Sequence, residues 1–238
     1  MDSYAKKAVI LAAGVGRRLF PVTKNIPKPL VELGGKKMIE SIIEALIKQG
    51  IFQIFVVTGY LREQFNYLPR KYSRVDLVLL DNPFYADCNN ISSLYIAREH
   101  LGDCIICDGD MLVHNSEIFS PAFEHSGYCS MWAEETDEWL QHLDPAGFVT
   151  SCSRNGGRAG WQLFSVSFWT EEDGEKLKAH LEEMFNVRKI RDVFWDDIPL
   201  FYYKDCYKLK IREIKQGDLI EIDSICELDE WRKIYENK

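Results

Sequence analysis

No run of residues in this chain approaches the roughly 20 consecutive apolar residues that cross a membrane. No long basic run is present either. With 29 Lys and Arg against 37 Asp and Glu the net charge is −8, which argues against nucleic acid as a partner and against membrane insertion. Seven cysteines, an odd number, form no disulfide framework, and five histidines show no ligand spacing. Cys104 and Cys107 make a C-x-x-C, but inside a predicted strand the odd separation sends the two thiols to opposite faces. That favours buried free thiols over a shared metal. The opening MDSYAKK turns straight into an apolar strand with no signal-peptide pattern, so a cytoplasmic protein is expected.

What is present is ample core material: 46% of 238 residues are hydrophobic, enough for one large domain or two small ones. Strands are predicted at 8–11, 51–58, 75–80 and 104–107, with helices at 36–49, 61–68 and 92–101 between them. Strands alternating with helices imply parallel pairing, an α/β fold with a doubly wound, mostly parallel sheet flanked by helices. Beyond residue 125 the alternation stops. Strands are predicted at 129–133, 148–152, 162–168, 206–214 and 219–222, and helices at 171–185, 190–203 and 224–235, the last opened by a Ser224/Glu227 capping box. No linker or repeat divides the chain. The expected layout is a single unit over 1–238, whose halves 1–125 and 126–238 share one sheet.

The segment 11–30, LAAGVGRRLFPVTKNIPKPL, follows the first strand. It is not a dinucleotide fingerprint, because Leu19 stands where a third glycine is needed. It is not an ATPase loop, because no Gly-Lys-Ser/Thr follows. Gly14 and Gly16 let backbone N–H groups approach phosphates, and Arg17, Arg18, Lys24 and Lys28 add fixed positive charge. Two acidic pairs complete the picture: Asp108 and Asp110 flank Gly109 after the fourth strand, and Glu221 and Asp223 flank Ile222 late in the chain. Residues i and i+2 on a strand face the same way, so each pair can converge on a point, and Mg²⁺ is a hard ion that takes one or two carboxylates plus phosphate oxygens.

The segment matches G-x-G-x-R-L-x-P-x-T-x-x-x-P-K-P at nine of sixteen positions: Gly14, Gly16, Arg18, Leu19, Pro21, Thr23, Pro27, Lys28 and Pro29. This resembles the signature loop of the nucleotidyltransferases that build NDP-sugars and CDP-alcohols, a Rossmann-like fold. Further segments, VTGYLREQF at 57–65, YADCNN at 85–90, VSFW at 166–169, FWD at 194–196 and EIDS at 221–224, are similar to bacterial phosphocholine and 2-aminoethylphosphonate cytidylyltransferases. The resemblance implies that CTP binds mainly in the first half and the acceptor in the second. An acceptor phosphate or phosphonate oxygen would attack the α-phosphorus of CTP and release pyrophosphate. Arg18 would neutralise the leaving phosphates, and Lys28 the α-phosphate. Leu11, Ala12 and Ala13 would line the base pocket beside Gly14 and Gly16. Asn89, Asn90 and Ser93 would read cytosine, with Asp108 on the CTP side. Asp110 and Asp223, with Glu221 beside them, would hold Mg²⁺.

For the acceptor, rings interleaved with acids at Glu138-Trp139 and at Phe194-Trp195-Asp196-Asp197 suit a cationic ammonium head. Arg154 and Arg158 are candidates for its phosphonate. The expected acceptor is thus a small phospho- or phosphono-amino-alcohol. Phe194, where phosphocholine enzymes are expected to carry tyrosine, tilts the choice towards 2-aminoethylphosphonate over phosphocholine. A sugar-1-phosphate enzyme and a regulatory nucleotide-binding module are the rival readings, and whether two copies pair as a homodimer is left open.

Overall fold

The computed structural model describes residues 3–236. Among the described residues nine strands form the central sheet. They are β1 (Lys7–Ala12), β2 (Gln53–Thr58), β3 (Asp76–Asp81), β4 (Cys104–Asp108), β5 (Gly127–Thr136), β6 (Leu140–Leu143), β7 (Val149–Ser153), β8 (Gly157–Trp169) and β9 (Lys210–Glu213). The helices are α1 (Met38–Lys48), α2 (Leu68–Lys71), α3 (Ile91–Ile96), α4 (Glu171–Glu182) and α5 (Ile225–Glu236).

β1 is apolar almost throughout because both its faces are covered. Ala8 and Ile10 pack with Ile39, Ile42, Ile43 and Leu46 of α1, while Val9 and Leu11 pack with Ile91 and Leu94 of α3 and Leu177 and Leu181 of α4. Strands β3, β2, β1 and β4 lie side by side in that order and are parallel, with Leu11 in register with Asp108. The first three strands are laid down in one direction from β1 and the fourth on its other side. The crevice between the ends of β1 and β4 is therefore the switch point, where ligands of such sheets sit. β8 extends the sheet antiparallel to β4 and β5, and β9 runs parallel to β5. The fold is the mixed, doubly wound sheet expected from sequence. Cys104 and Cys107 do part: Cys104 joins the α3/α4 side and Cys107 the α1 side.

A smaller core ties the site together. Leu19 of the glycine-rich loop, Leu112 just past Asp110, and Ile220 and Ile222 on either side of Glu221 pack with Val31, Met38 and Leu228. Residues Met111–Val113 pair antiparallel with Leu219–Glu221, which sets Glu221 opposite Met111. This ribbon carries the two acidic pairs to one place across more than a hundred residues of chain.

Two expectations fail. The span 190–203 is not a helix; only one wide turn, Ile198–Tyr202, forms. Its polar groups are spent elsewhere: the Phe194 N–H donates to Asp197 Oδ2 at 2.9 Å and the Trp195 N–H to Asn90 Oδ1 at 2.9 Å. Side chains that offer the backbone such local bonds compete with a helix. Residues 61–68 form a turn at Arg62–Phe65 before α2 rather than one helix, and β6 was not foreseen.

Candidate active site

The glycine-rich loop owes its shape to close packing. Gly16 has φ +65°, and a Cβ there would stand 3.1 Å from the Lys28 Cβ, so both conformation and space call for glycine. The Thr23 hydroxyl, fully buried, donates to the Gly16 carbonyl at 2.7 Å and pins the loop back on itself. This is what the threonine of the motif does. Lys28 follows, buried to 5% exposure, at the start of the turn Lys28–Leu30.

Lys28 Nζ lies 2.7 Å from Asp110 Oδ2 and 2.8 Å from Asp223 Oδ1, and Arg18 Nη2 lies 2.8 Å from the same Asp223 oxygen. Burial pulls the Lys28 ammonium down, but the two carboxylates outweigh it and hold its pKa above the ordinary lysine value. Asp223 is fixed by the foreseen capping box. The Asp223 and Ser224 N–H groups donate to Glu227 Oε2 at 2.7 and 2.9 Å, and the Glu227 N–H donates to Ser224 Oγ at 3.2 Å.

The acidic pairs do converge, though not along continuous strands. Asp108 closes β4, and Gly109 then turns sharply: its N–H donates to the Leu11 carbonyl at 2.8 Å, and a Cβ would meet Ala12 and that carbonyl at 3.1 Å. Asp110 and Asp223 converge on the Lys28 ammonium, and all four acids line one cavity of about 270 Å³. Glu221, expected beside the metal ligands, lines the same cavity and accepts from Ser165 Oγ at 2.6 Å on β8.

The lining of that cavity has two chemical parts: Arg18 and Lys28, paired with Asp110 and Asp223, and the rings and acids of Trp139, Phe194, Trp195, Asp196, Glu138 and Glu221. Burial pushes Asp196 up to about 7, against the pull of the neighbouring Tyr128 hydroxyl. Burial likewise pushes Glu221 up to about 7, against the Ser165 hydroxyl. Asp108 is raised well above the carboxylate range, by burial first and then by Asp110, Asp196 and Glu221. Lys28 pulls Asp108 the other way without outweighing these causes, and a further bound cation would lower all three pKa values.

Leu11, Ala12, Ala13, Gly14, Gly16, Asn90, Ser93 and Asp108 line a second cavity of about 150 Å³ together with Lys28. A third, of about 500 Å³, is lined by Asn89, Asn90, Ser93 and the same glycines, and adds Tyr85, Asp87 and Ser92. The expected nucleotide residues thus do gather at the switch point. Asn89 Oδ1 and Asn90 Oδ1 are engaged by backbone N–H groups, which leaves their amide N–H groups to face a base.

Three expected acceptor residues stand elsewhere. Asp197, 3% exposed, accepts from Arg154 Nε at 2.7 Å and from the Phe194 N–H, and Arg154 lies over the Phe201 ring at 3.5 Å. Both hold the loop and do not line the cavity. Arg158 pairs with Glu135 on the surface, its side chain 77% exposed. Trp195 lines the cavity but is otherwise core, 4% exposed and stacked on Tyr128. Sequence reasoning missed Leu163 and Ser165, which share a face of β8 by its period of two.

Two carboxylates with no nitrogen or sulfur donor suit a hard divalent ion. Among the described residues no group of three or more His, Cys, Asp or Glu is placed to hold one. Asp110 and Asp223 therefore fit an ion that takes the rest of its shell from phosphate and water. A basic, glycine-rich loop at a switch point, facing paired carboxylates, defines a site for transferring part of a nucleotide.

Comparison with known proteins agrees. A family model described as nucleotidyl transferase matches residues 7–124. The chain is 34% identical to 2-aminoethylphosphonate cytidylyltransferase of Lancefieldella rimae, over 93% of this chain and 89% of that protein. It is 35% identical to choline-phosphate cytidylyltransferase of Streptococcus pneumoniae, over 98% and 99%. The solved structure of CTP:phosphocholine cytidylyltransferase from the same organism superposes with a TM-score of 0.85 at 33% identity, over 96% of this chain and 98% of that one. The chain belongs to the nucleotidyltransferase family and is an enzyme of its cytidylyltransferase branch. Among the described residues no helix is long and apolar enough to cross a membrane.

Proposed function

We propose that this enzyme transfers CMP from CTP to a small zwitterion that carries an ammonium and a phosphate or phosphonate, with 2-aminoethylphosphonate preferred over phosphocholine. The carrying observation is one cavity lined both by Arg18 and Lys28 and by acids with rings. A sugar 1-phosphate would leave Asp196 and Glu138 without a cationic partner, at a cost of about 1–3 kcal/mol per buried unpaired group.

An acceptor oxygen, already ionised at neutral pH, attacks the α-phosphorus. The new P–O bond forms as the bond to the β-phosphate bridging oxygen breaks, and pyrophosphate leaves with that electron pair. Lys28, rigid and buried, stabilises charge on the α-phosphate as it builds, and Arg18, exposed at the mouth, neutralises the departing phosphates. Mg²⁺, held by Asp110 and Asp223, would supply charge neutralisation of the triphosphate.

The preference between acceptors follows from magnitudes. A ring face gives a cation about 0.5–2 kcal/mol. A hydrogen bond between charged groups gives about 1.5–3 kcal/mol. Trp139 and Phe194 sit edge to face at 5.7 Å, so one ring's face is spent on the other's edge, whereas Asp196, Glu221 and Glu138 are three acids. Three carboxyl groups able to accept N–H bonds suit a primary ammonium. Phe194, without a hydroxyl, adds nothing against this.

Pyrophosphate release from CTP, assayed with 2-aminoethylphosphonate, phosphocholine, phosphoethanolamine and glucose 1-phosphate, tests the reading. The expected order of kcat/KM has 2-aminoethylphosphonate first, with activity lost in EDTA and restored by Mg²⁺. A tenfold preference for phosphocholine removes the acceptor assignment, and a preference for glucose 1-phosphate removes the zwitterion.

A further inference from the structure

Asn90 lines all three cavities, the one assigned to the acceptor and both assigned to the nucleotide. Its two ends do different things. Oδ1 accepts from the Trp195 N–H at 2.9 Å, across 105 residues of chain, while its amide N–H₂ donates to nothing among the described residues. The Trp195 N–H belongs to the segment 190–197, which never becomes a helix and which presents Phe194, Trp195 and Asp196 to the acceptor cavity. A second tie runs alongside, from the Asn89 N–H to the Arg191 carbonyl at 2.9 Å.

The other side of this contact is firmly built. Asn82, fully buried, donates from Nδ2 to Ser92 Oγ at 3.0 Å and Ser93 Oγ at 3.1 Å, and the Ser92 hydroxyl donates to the Asn89 carbonyl at 2.8 Å. Asn89 Oδ1 in turn accepts from the Asn90 N–H at 2.8 Å. The Asn90 backbone is thus fixed from the sheet outward, and its side chain spans from the nucleotide cavities to the acceptor loop.

We propose that Asn90 couples the two substrates. A nucleotide that engages the Asn90 amide N–H₂ holds the side chain in the rotamer that presents Oδ1 to the Trp195 N–H. This fixes the acceptor wall before the acceptor arrives. The acceptor then binds without ordering that wall itself, so each substrate raises the affinity of the other, and by linkage by the same factor. Couplings of this kind are typically about 5- to 150-fold. Asn90 is a positioning residue here, and the inference rests on the acceptor assignment above.

Calorimetry measures it. Affinities for phosphocholine and for 2-aminoethylphosphonate are determined with and without a CTP analogue whose α,β-bridging oxygen is replaced by methylene. In the parent enzyme the analogue is expected to tighten the acceptor at least about fivefold. In Asn90→Ala the ratio is expected to fall below about twofold. Asn90→Asp keeps an oxygen for the Trp195 N–H but lacks the amide donor that the nucleotide engages, so its ratio is also expected to fall below about twofold, while its acceptor affinity without the analogue stays nearer the parent's than that of the alanine variant. Melting curves identify a variant that has failed to fold, and the parent ratio stands without it. A parent ratio of one with measurable acceptor binding overturns the coupling while leaving the acceptor assignment intact. An unchanged ratio in folded Asn90→Ala assigns any coupling elsewhere and overturns the role of Asn90. No binding of either acceptor, together with no pyrophosphate release, overturns the assignment and the coupling with it.

Discussion

The two ends of the site are built in opposite ways. The phosphate end is compact in sequence: Gly14, Gly16, Arg18, Thr23 and Lys28 lie within one loop, and only Asp110 and Asp223 come from outside it. The acceptor end is dispersed. Glu138 and Trp139 precede β6, Leu163 and Ser165 sit on β8, Phe194 to Asp196 belong to an irregular loop, and Glu221 comes from a short ribbon. In the proposed function, the chemistry common to nucleotide transfer rests on local backbone geometry, and the choice of acceptor rests on tertiary packing among residues far apart in sequence. Substitutions at the phosphate end should therefore reduce turnover with any acceptor, and those at the other end should act on one substrate.

The largest effect is expected at Lys28. On the proposed mechanism Lys28→Ala removes a charge needed mainly as the transition state forms, and should lower kcat with every acceptor by about 100-fold or more, equivalent to roughly 2.7–4 kcal/mol. Steady-state rates check it, and a variant that keeps over half the parent kcat would show that the loop charge is dispensable.

Next comes Asp196. Asp196→Asn should raise the acceptor KM about tenfold and leave the CTP KM near its parent value, since one charge-assisted contact of roughly 1.5–3 kcal/mol is lost. The pH dependence follows from a group pushed up to about 7. Below that pH the carboxyl is neutral and attracts no ammonium; above it the charge is present, so the parent acceptor KM should fall as pH rises from 6 to 8. Comparing variant and parent at each pH cancels the acceptor's own ionisation, and the variant should keep only the part due to Glu221. The stability sign is opposite. A carboxyl raised in the folded state binds its proton more tightly there than in the unfolded chain, so the stability it contributes falls as pH rises towards 7 and stays low beyond. Asp196→Asn should therefore melt no lower than the parent at pH 8. A lower melting temperature would reassign Asp196 to structure.

Asp197 gives the contrast with its neighbour. Asp197→Ala strands Arg154 and the Phe194 N–H, and should cost about 1–3 kcal/mol of stability in thermal unfolding. Arg158→Ala, at a surface pair, should change stability by at most about 1 kcal/mol and leave both KM values alone.

Legibility in sequence followed the same divide. The first four strands could be read because a strand buried on both faces is a continuous apolar run, and the loop because its residues are contiguous. The capping box at Ser224 and Glu227 was legible for the same reason. The bend within the first acidic pair was not, because Gly109 ends strand geometry between Asp108 and Asp110. Nor was the loop at 190–197, where apolar spacing looks helical and the deciding bond comes from Asn90, 105 residues away. Ser165 carries no local mark at all; only its hydrogen bond to Glu221 distinguishes it from other small residues on a strand.

The most direct test of the cavity with two chemical ends is kcat/KM for 2-aminoethylphosphonate against ethylphosphonate, which differs by lacking the ammonium group, in the parent enzyme and in Asp196→Asn. The account expects the amine to be favoured at least about 100-fold in the parent, the worth of one or two charge-assisted hydrogen bonds, and the ratio to fall about tenfold in the variant. Equal use of the two phosphonates by the parent would contradict it.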